Sequence, residues 1–137
     1  MAKNLKLYDV EYRFACVVWE NEPVHSRKLT ELCADALGWK RATTYTVLRK
    51  LCERGIFRND NAIVSSIVKR DEVQGYESAA IVDRSFDGSL PSFIMAFLKT
   101  KTLTSEEAAE IQEMINSAAQ SGHSADAELL VQASREG

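Results

Sequence analysis

Apolar residues recur at helical spacing along most of the chain. Val10, Phe14, Val17 and Val18 stand at i, i+4, i+7 and i+8. That spacing predicts a first helix over 9–20, with Asp9 as its N-cap. Trp19 closes this helix and Asn21-Glu22-Pro23 breaks it. Ser26 is the N-cap expected for a second helix over 27–37, whose apolar face is Leu29, Leu32, Cys33 and Ala36. Gly38 lies where a helix ends in a left-handed residue. A third helix is expected over 41–54, with Tyr45, Leu48, Leu51 and Cys52 facing inward. Its other side carries Arg41, Thr43, Thr46, Arg49, Lys50 and Glu53, and Gly55 ends it.

The pattern then changes period. Ile56-Phe57-Arg58 is a short β-prone run, Asn59-Asp60-Asn61 signals a turn, and Ala62 to Val68 is β-branched enough to return as a second strand. Helical spacing resumes at 71–85 with Val73, Tyr76, Ala80 and Ile81, and Asp87-Gly88 is a turn. Ser89 caps a segment in which Leu90, Phe93, Ile94, Phe97 and Leu98 form a dense apolar stripe. Thr104 and Glu107 make a capping box for a helix running to about 117 through Ala108, Ile111, Met114 and Ile115. Beyond it, 118–137 is an Ala-, Ser- and Gln-rich tail, frayed or weakly helical around 125–134.

Three short helices followed by a hairpin describe a winged helix-turn-helix. The expected fold is mainly α with a small β-hairpin: a winged domain over 1–70, a helical dimerisation arm over 71–117, and the tail. The second and third helices are joined by the short turn Gly38-Trp39-Lys40, as the motif requires.

Charge supports that division. The net charge of -3 over 137 residues conceals +5 in residues 1–70 and -8 in residues 71–137. The basic half fits a polyanion partner and the acidic half does not. Thr43 and Thr46 are small enough to let a helix enter the major groove, and each offers a hydroxyl. Arg41, Arg49 and Lys50 can neutralise phosphates or read guanine. Arg58 is the expected phosphate contact of a weakly charged wing, with Lys69 and Arg70 beyond it.

Other chemistries find little support. Cys16, Cys33 and Cys52 are far apart and odd in number, and neither they nor His25 and His123 have ligand spacing. They read as small hydrophobes in a reducing cytoplasm. No metal or cofactor is expected. There is no Gly-rich phosphate loop or paired acidic motif, so catalysis is not expected. No apolar run approaches the ~20 residues of a membrane span, and residues 1–6 lack the apolar core of a secretory signal. The alternative to a DNA-binding protein is a winged-helix module that docks a protein partner and binds no DNA. The +5 half is what separates the two.

The run Trp39-Lys40-Arg41-Ala42-Thr43-Thr44-Tyr45-Thr46-Val47-Leu48-Arg49-Lys50-Leu51 resembles the recognition helix of the penicillinase repressors, the BlaI/MecI/CopY family. There the pattern is Trp, a few polar residues, Thr-Val-Tyr-Thr, two aliphatics, a basic pair and Leu; here Thr44 stands in place of the Val. Val17-Val18-Trp19 is similar to the end of the family's opening helix, and Glu53-Arg54-Gly55-Ile56-Phe57 to its exit from the third. Phe86-Asp87-Gly88-Ser89-Leu90, Phe97-Leu98-Lys99 and Leu103 to Glu107 resemble its dimerisation arm. The resemblance spans about residues 7–117. It implies a homodimeric bacterial repressor that binds a palindromic operator, often of β-lactam resistance genes. Leu90, Phe93, Ile94, Phe97, Leu98, Ile111 and Ile115 would form the dimer interface. It also implies relief by a membrane sensor protease pathway that cuts the arm. The matching bond is Ala96-Phe97, where cleaved relatives carry Asn before the Phe. The Cys-x-Cys motifs of the copper-responsive branch have no counterpart, since no Cys follows Cys52.

Overall fold

The computed structural model describes the backbone of residues 4–136 and the side chains of residues 4–120. In chain order it has α1 (Asp9–Asn21), β1 (Val24–His25), α2 (Ser26–Leu37), α3 (Arg41–Glu53), β2 (Phe57–Asp60), β3 (Ile63–Ser66), α4 (Arg70–Phe86), α5 (Leu90–Thr100) and α6 (Ser105–Glu136). Two compact units result, one ending at Ser89 and one beginning at Leu90.

The first unit is a winged helical head. Its core gathers Phe14 and Val18 of α1, Leu29 and Cys33 of α2, Leu48 and Leu51 of α3, then Ile56, Phe57, Val64, Val68 and Val73, all essentially inaccessible to water. Aromatic rings tie it together: Phe14 stacks on Trp39 with centroids 5.8 Å apart and meets Phe57 edge-on at 5.9 Å. Trp19 donates its indole N–H to the Val68 carbonyl at 3.0 Å, which fixes the exit of the wing against α1. Val73 brings α4 into the same core, so the compact head continues past the charge boundary at residue 70.

Each of the three head helices is rotated from its expected face. On α1 the expected Phe14, Val17 and Val18 are buried together with Glu11 and Ala15, while Val10 is 54% exposed. On α2 they are Ser26, Leu29, Thr30 and Cys33; Leu32 is half-buried and Ala36 exposed. On α3 they are Thr44, Leu48 and Leu51, while Tyr45 is 40% exposed. The cause is the same each time: a polar residue belongs to the inner face. Glu11 is held there by Arg54 Nη1 at 3.5 Å and by the Tyr8 N–H, which donates to its Oε1 at 2.9 Å. Thr30 donates its hydroxyl to the Arg27 carbonyl at 2.6 Å.

Two caps shift by one residue. Tyr8, not Asp9, is the N-cap of α1. His25, not Ser26, caps α2, its Nδ1 accepting from the Arg27 N–H at 3.1 Å. Gly38 ends α2 at φ +69°, where its N–H donates to the Ala34 carbonyl.

The hairpin is part of a three-stranded antiparallel sheet in the order β1-β3-β2. The two-residue β1 has no sequence signal, being far shorter than any periodicity can reveal. It forms because Val24 is buried opposite Val64, and because the Ser26 N–H donates to the Ala62 carbonyl at 2.7 Å. Glu22 secures the other end of β3, accepting from the Ser66 N–H and Oγ at 2.8 Å, with Lys69 Nζ at 3.5 Å. Burial alone would push the Glu22 carboxyl up, but the Ser66 hydrogen bonds and the Lys69 charge hold it below its ordinary value.

Asp60 pairs with Ile63, so the connection between β2 and β3 is the two residues Asn61 and Ala62. Both are left-handed, at φ +51° and +69°, which is a type I′ turn. Alanine pays a steric penalty there that glycine does not. Ala62→Gly is therefore expected to raise stability by about 0.5–1 kcal/mol, the relief being partly offset by the greater freedom of Gly in the unfolded chain. Urea unfolding of the two chains measures it.

In the second unit the Thr104 capping box is present: the Glu107 N–H donates to Thr104 Oγ1 at 3.0 Å, and the Thr104 N–H to Glu107 Oε1 at 3.1 Å. The backbone of α6 runs unbroken past 117 to Glu136, so no separate helix begins around 125. His123 lies outside the described side chains. α5 has no buried residue at all.

Candidate nucleic-acid interface

α3 is a rod anchored along one side. Thr44, Leu48 and Leu51 fix it to the core, and Ile56 receives it at the exit, its N–H donating to the Leu51 carbonyl at 3.0 Å. At about 100° per residue, the row opposite the anchors is Ala42, Thr46, Arg49 and Glu53. Thr43 flanks it on one side, Tyr45 and Arg41 on the other. All seven are exposed. Thr46 donates its hydroxyl to the Ala42 carbonyl at 2.9 Å.

The structure thus brings Arg41, Thr43, Thr46 and Arg49 to one exposed surface. Lys50 is also exposed, but its Nζ stands 3.6 Å from Glu11 Oε2, so its charge is partly answered within the chain. Arg54, next along, is taken up by Glu11 and by the Asn4 and Lys6 carbonyls, and holds the N-terminal segment. Arg58 is exposed on β2 opposite Ser65. Period-two alternation puts it on the outer sheet face with Asp60 and Ile63, so the wing presents one cation beside one carboxylate.

Tyr45 and Ala42 were not among the residues expected at this surface. The rotation of α3 about Thr44 puts them there. The signal lay in the resemblance itself, since an apolar Val at position 44 in relatives marks that position as inward.

Thr44 is fully buried, and its Oγ1 makes no regular hydrogen bond. Its neighbour is Cys33: burial pushes the Cys33 thiol up, and the Thr44 hydroxyl pulls back against that shift. A thiol is a weak partner, so most of the hydroxyl's desolvation is uncompensated. Thr44→Val keeps the shape and removes the hydroxyl. It is expected to stabilise the head by about 1 kcal/mol, read as a higher urea midpoint at unchanged slope.

All three cysteines are free. Burial pushes the Cys52 thiol up as well, aided by the Glu53 carboxylate. No group of residues that could hold a metal occurs among the described residues, and no helix there is long and apolar enough to cross a membrane.

The second unit carries the other candidate surface. Leu90, Ile94, Leu98 and Ile115, with Pro91 and Met95, line an open groove of about 690 Å³. Leu90 and Ile115 are more than half exposed, and Phe97 and Ile111 are exposed outside the groove; Phe93 is half-buried.

The comparisons with known proteins follow this geometry. The penicillinase repressor family matches residues 7–117, which takes in α1 to α5 and the start of α6. A penicillinase repressor of Bacillus licheniformis is 21% identical over 120 residues, covering 84% of this chain and 93% of that protein. Proteins of this family regulate transcription and are not enzymes. The chain belongs to the penicillinase repressor family of transcriptional repressors.

Proposed function

We propose that the protein is a homodimer that represses transcription by occupying a palindromic operator, with α3 of each chain in a major groove. The observation that carries this reading is the outer surface of α3: small side chains at Ala42, Thr43 and Thr46, bordered by Arg41 and Arg49, on a helix anchored by a fully buried row. Small residues permit close approach to base edges, and the arginines meet phosphates on either side. Arg58 supplies a further phosphate contact from the wing, and Lys50 a weaker one because Glu11 competes for it.

Dimerisation falls to the second unit. Leu90, Phe93, Ile94, Phe97, Leu98, Ile111 and Ile115 supply the interface, since most of this stripe stays exposed in the single chain. A two-fold pair of heads then mirrors a palindromic site. That the Bacillus licheniformis relative is a penicillinase repressor supports β-lactam resistance genes as targets. Relief by proteolysis would act at Ala96-Phe97. That bond lies inside α5, so the helix must open locally before a protease can take it, and the cut would divide the apolar stripe.

Titration of the full chain into labelled duplex DNA at several salt concentrations tests the reading. Log K is expected to fall linearly with log salt, by about 0.9 for each phosphate neutralised. Arg49→Ala is expected to flatten that slope by about one contact, and Lys50→Ala by less. Absence of binding at low salt would leave the protein-docking module as the function.

A further inference from the structure

We propose that Ala42 and Thr46 read thymine 5-methyl groups in each half-site, an inference that rests on the DNA-binding role of α3. In the helix Arg41–Glu53 neither Asn nor Gln occurs, so the bidentate reading of adenine has no donor there. The one acidic residue able to accept from cytosine, Glu53, is at the far end, Arg49, able to read guanine, lies beyond the N-terminal half, and Arg41 flanks the outermost row instead of belonging to it. Recognition helices contact base edges mainly through their N-terminal residues. The outermost row of that half is Ala42 and Thr46, one turn apart and both exposed.

Thr46 looks like a hydroxyl reader, but its proton is committed. The Oγ1 donates back to the Ala42 carbonyl at 2.9 Å. This turns the oxygen toward the preceding turn, while the Thr46 and Ala42 methyl-bearing side chains share one exposed row a turn apart. The centre of the reading surface in the N-terminal half is therefore a pair of small, methyl-bearing side chains, with the larger Arg41 and Tyr45 to one side. Of the groups in the major groove, the thymine methyl is the apolar one, and apolar contact is how it is recognised.

The experiment begins with duplexes enriched by the full chain from a randomised pool at low salt. Each thymine is then replaced by uracil, which removes one methyl and leaves the base pair intact. One or two positions per half-site are expected to lose about fourfold in affinity each, and about fifteenfold when both half-sites are changed, the scale of one buried methyl. The penalty at the position facing Thr46 should persist in Thr46→Val, which keeps the methyl, and vanish in Thr46→Ser, which keeps only the hydroxyl. Enriched duplexes indifferent to uracil at every position, or a penalty erased by Thr46→Val, would overturn the thymine assignment while leaving DNA binding intact. A pool that yields no bound duplex would overturn the DNA-binding reading and this inference with it.

Discussion

Phe97→Asp is expected to convert the protein to a monomer in sedimentation velocity and to cost about four to five orders of magnitude in DNA affinity. The side chain sits 46% exposed in the middle of α5, within a stripe that finds no cover in its own helix. Isolated exposed apolar residues are ordinary, but the exposed set from Leu90 to Leu98, with Ile115 in the same groove, is the surface that the proposed dimer would cover. A carboxylate at its centre must either be desolvated without a cation or hold the interface apart, and both outcomes disfavour the dimer. The affinity loss follows from halving the contacts. Specific protein–DNA complexes lie near 10⁻⁸ to 10⁻¹¹ M, and a single head retains roughly half that binding free energy. The head buries its own core, so its far-UV circular dichroism and its melting should barely change. Loss of both dimer and fold would instead mean that the stripe serves the stability of the chain itself.

Phe14→Ala is expected to destabilise the head by about 3–5 kcal/mol, the largest single effect from any core position considered. Phe14 is completely buried, stacked on Trp39 and edge-on to Phe57. It is the point at which α1, the α2–α3 turn and the sheet meet. Its removal leaves a cavity between three elements that cannot all close on it, and it forfeits two aromatic contacts beyond the area term. Domains of this size hold only about 5–15 kcal/mol, so most of the margin would go. Urea unfolding followed by tryptophan fluorescence reports it, since Trp19 and Trp39 both border the site.

The order of elements in the head was legible because its helices are short, strongly periodic and separated by clear breakers: Pro23, Gly38 and Gly55. The faces of the helices were less legible. Hydrophobic spacing selects apolar residues, whereas α1, α2 and α3 each bury a polar one that tertiary contacts accommodate. Glu11 could not be assigned inward without knowing that Arg54, 43 positions away, would meet it. Thr44 has an apolar shape and a polar label, and the label misled. The consequence reached the candidate site, for turning α3 about Thr44 rather than Tyr45 brings Ala42 and Tyr45 onto the reading surface. The strand β1 was invisible for a different reason: two residues carry no pattern, and their pairing partner lies 40 residues on at Val64. Charge drew the edge of the head at residue 70, where burial of Val73 carries it further.

The central claim is that two heads, joined through their second units, read DNA through α3. Sedimentation of the full chain with an enriched duplex tests it most directly, because the mass of the complex counts the chains. The account predicts two chains per duplex for the native protein and loss of that species for Phe97→Asp. A complex containing one chain, or free duplex throughout the titration at low salt, would contradict it.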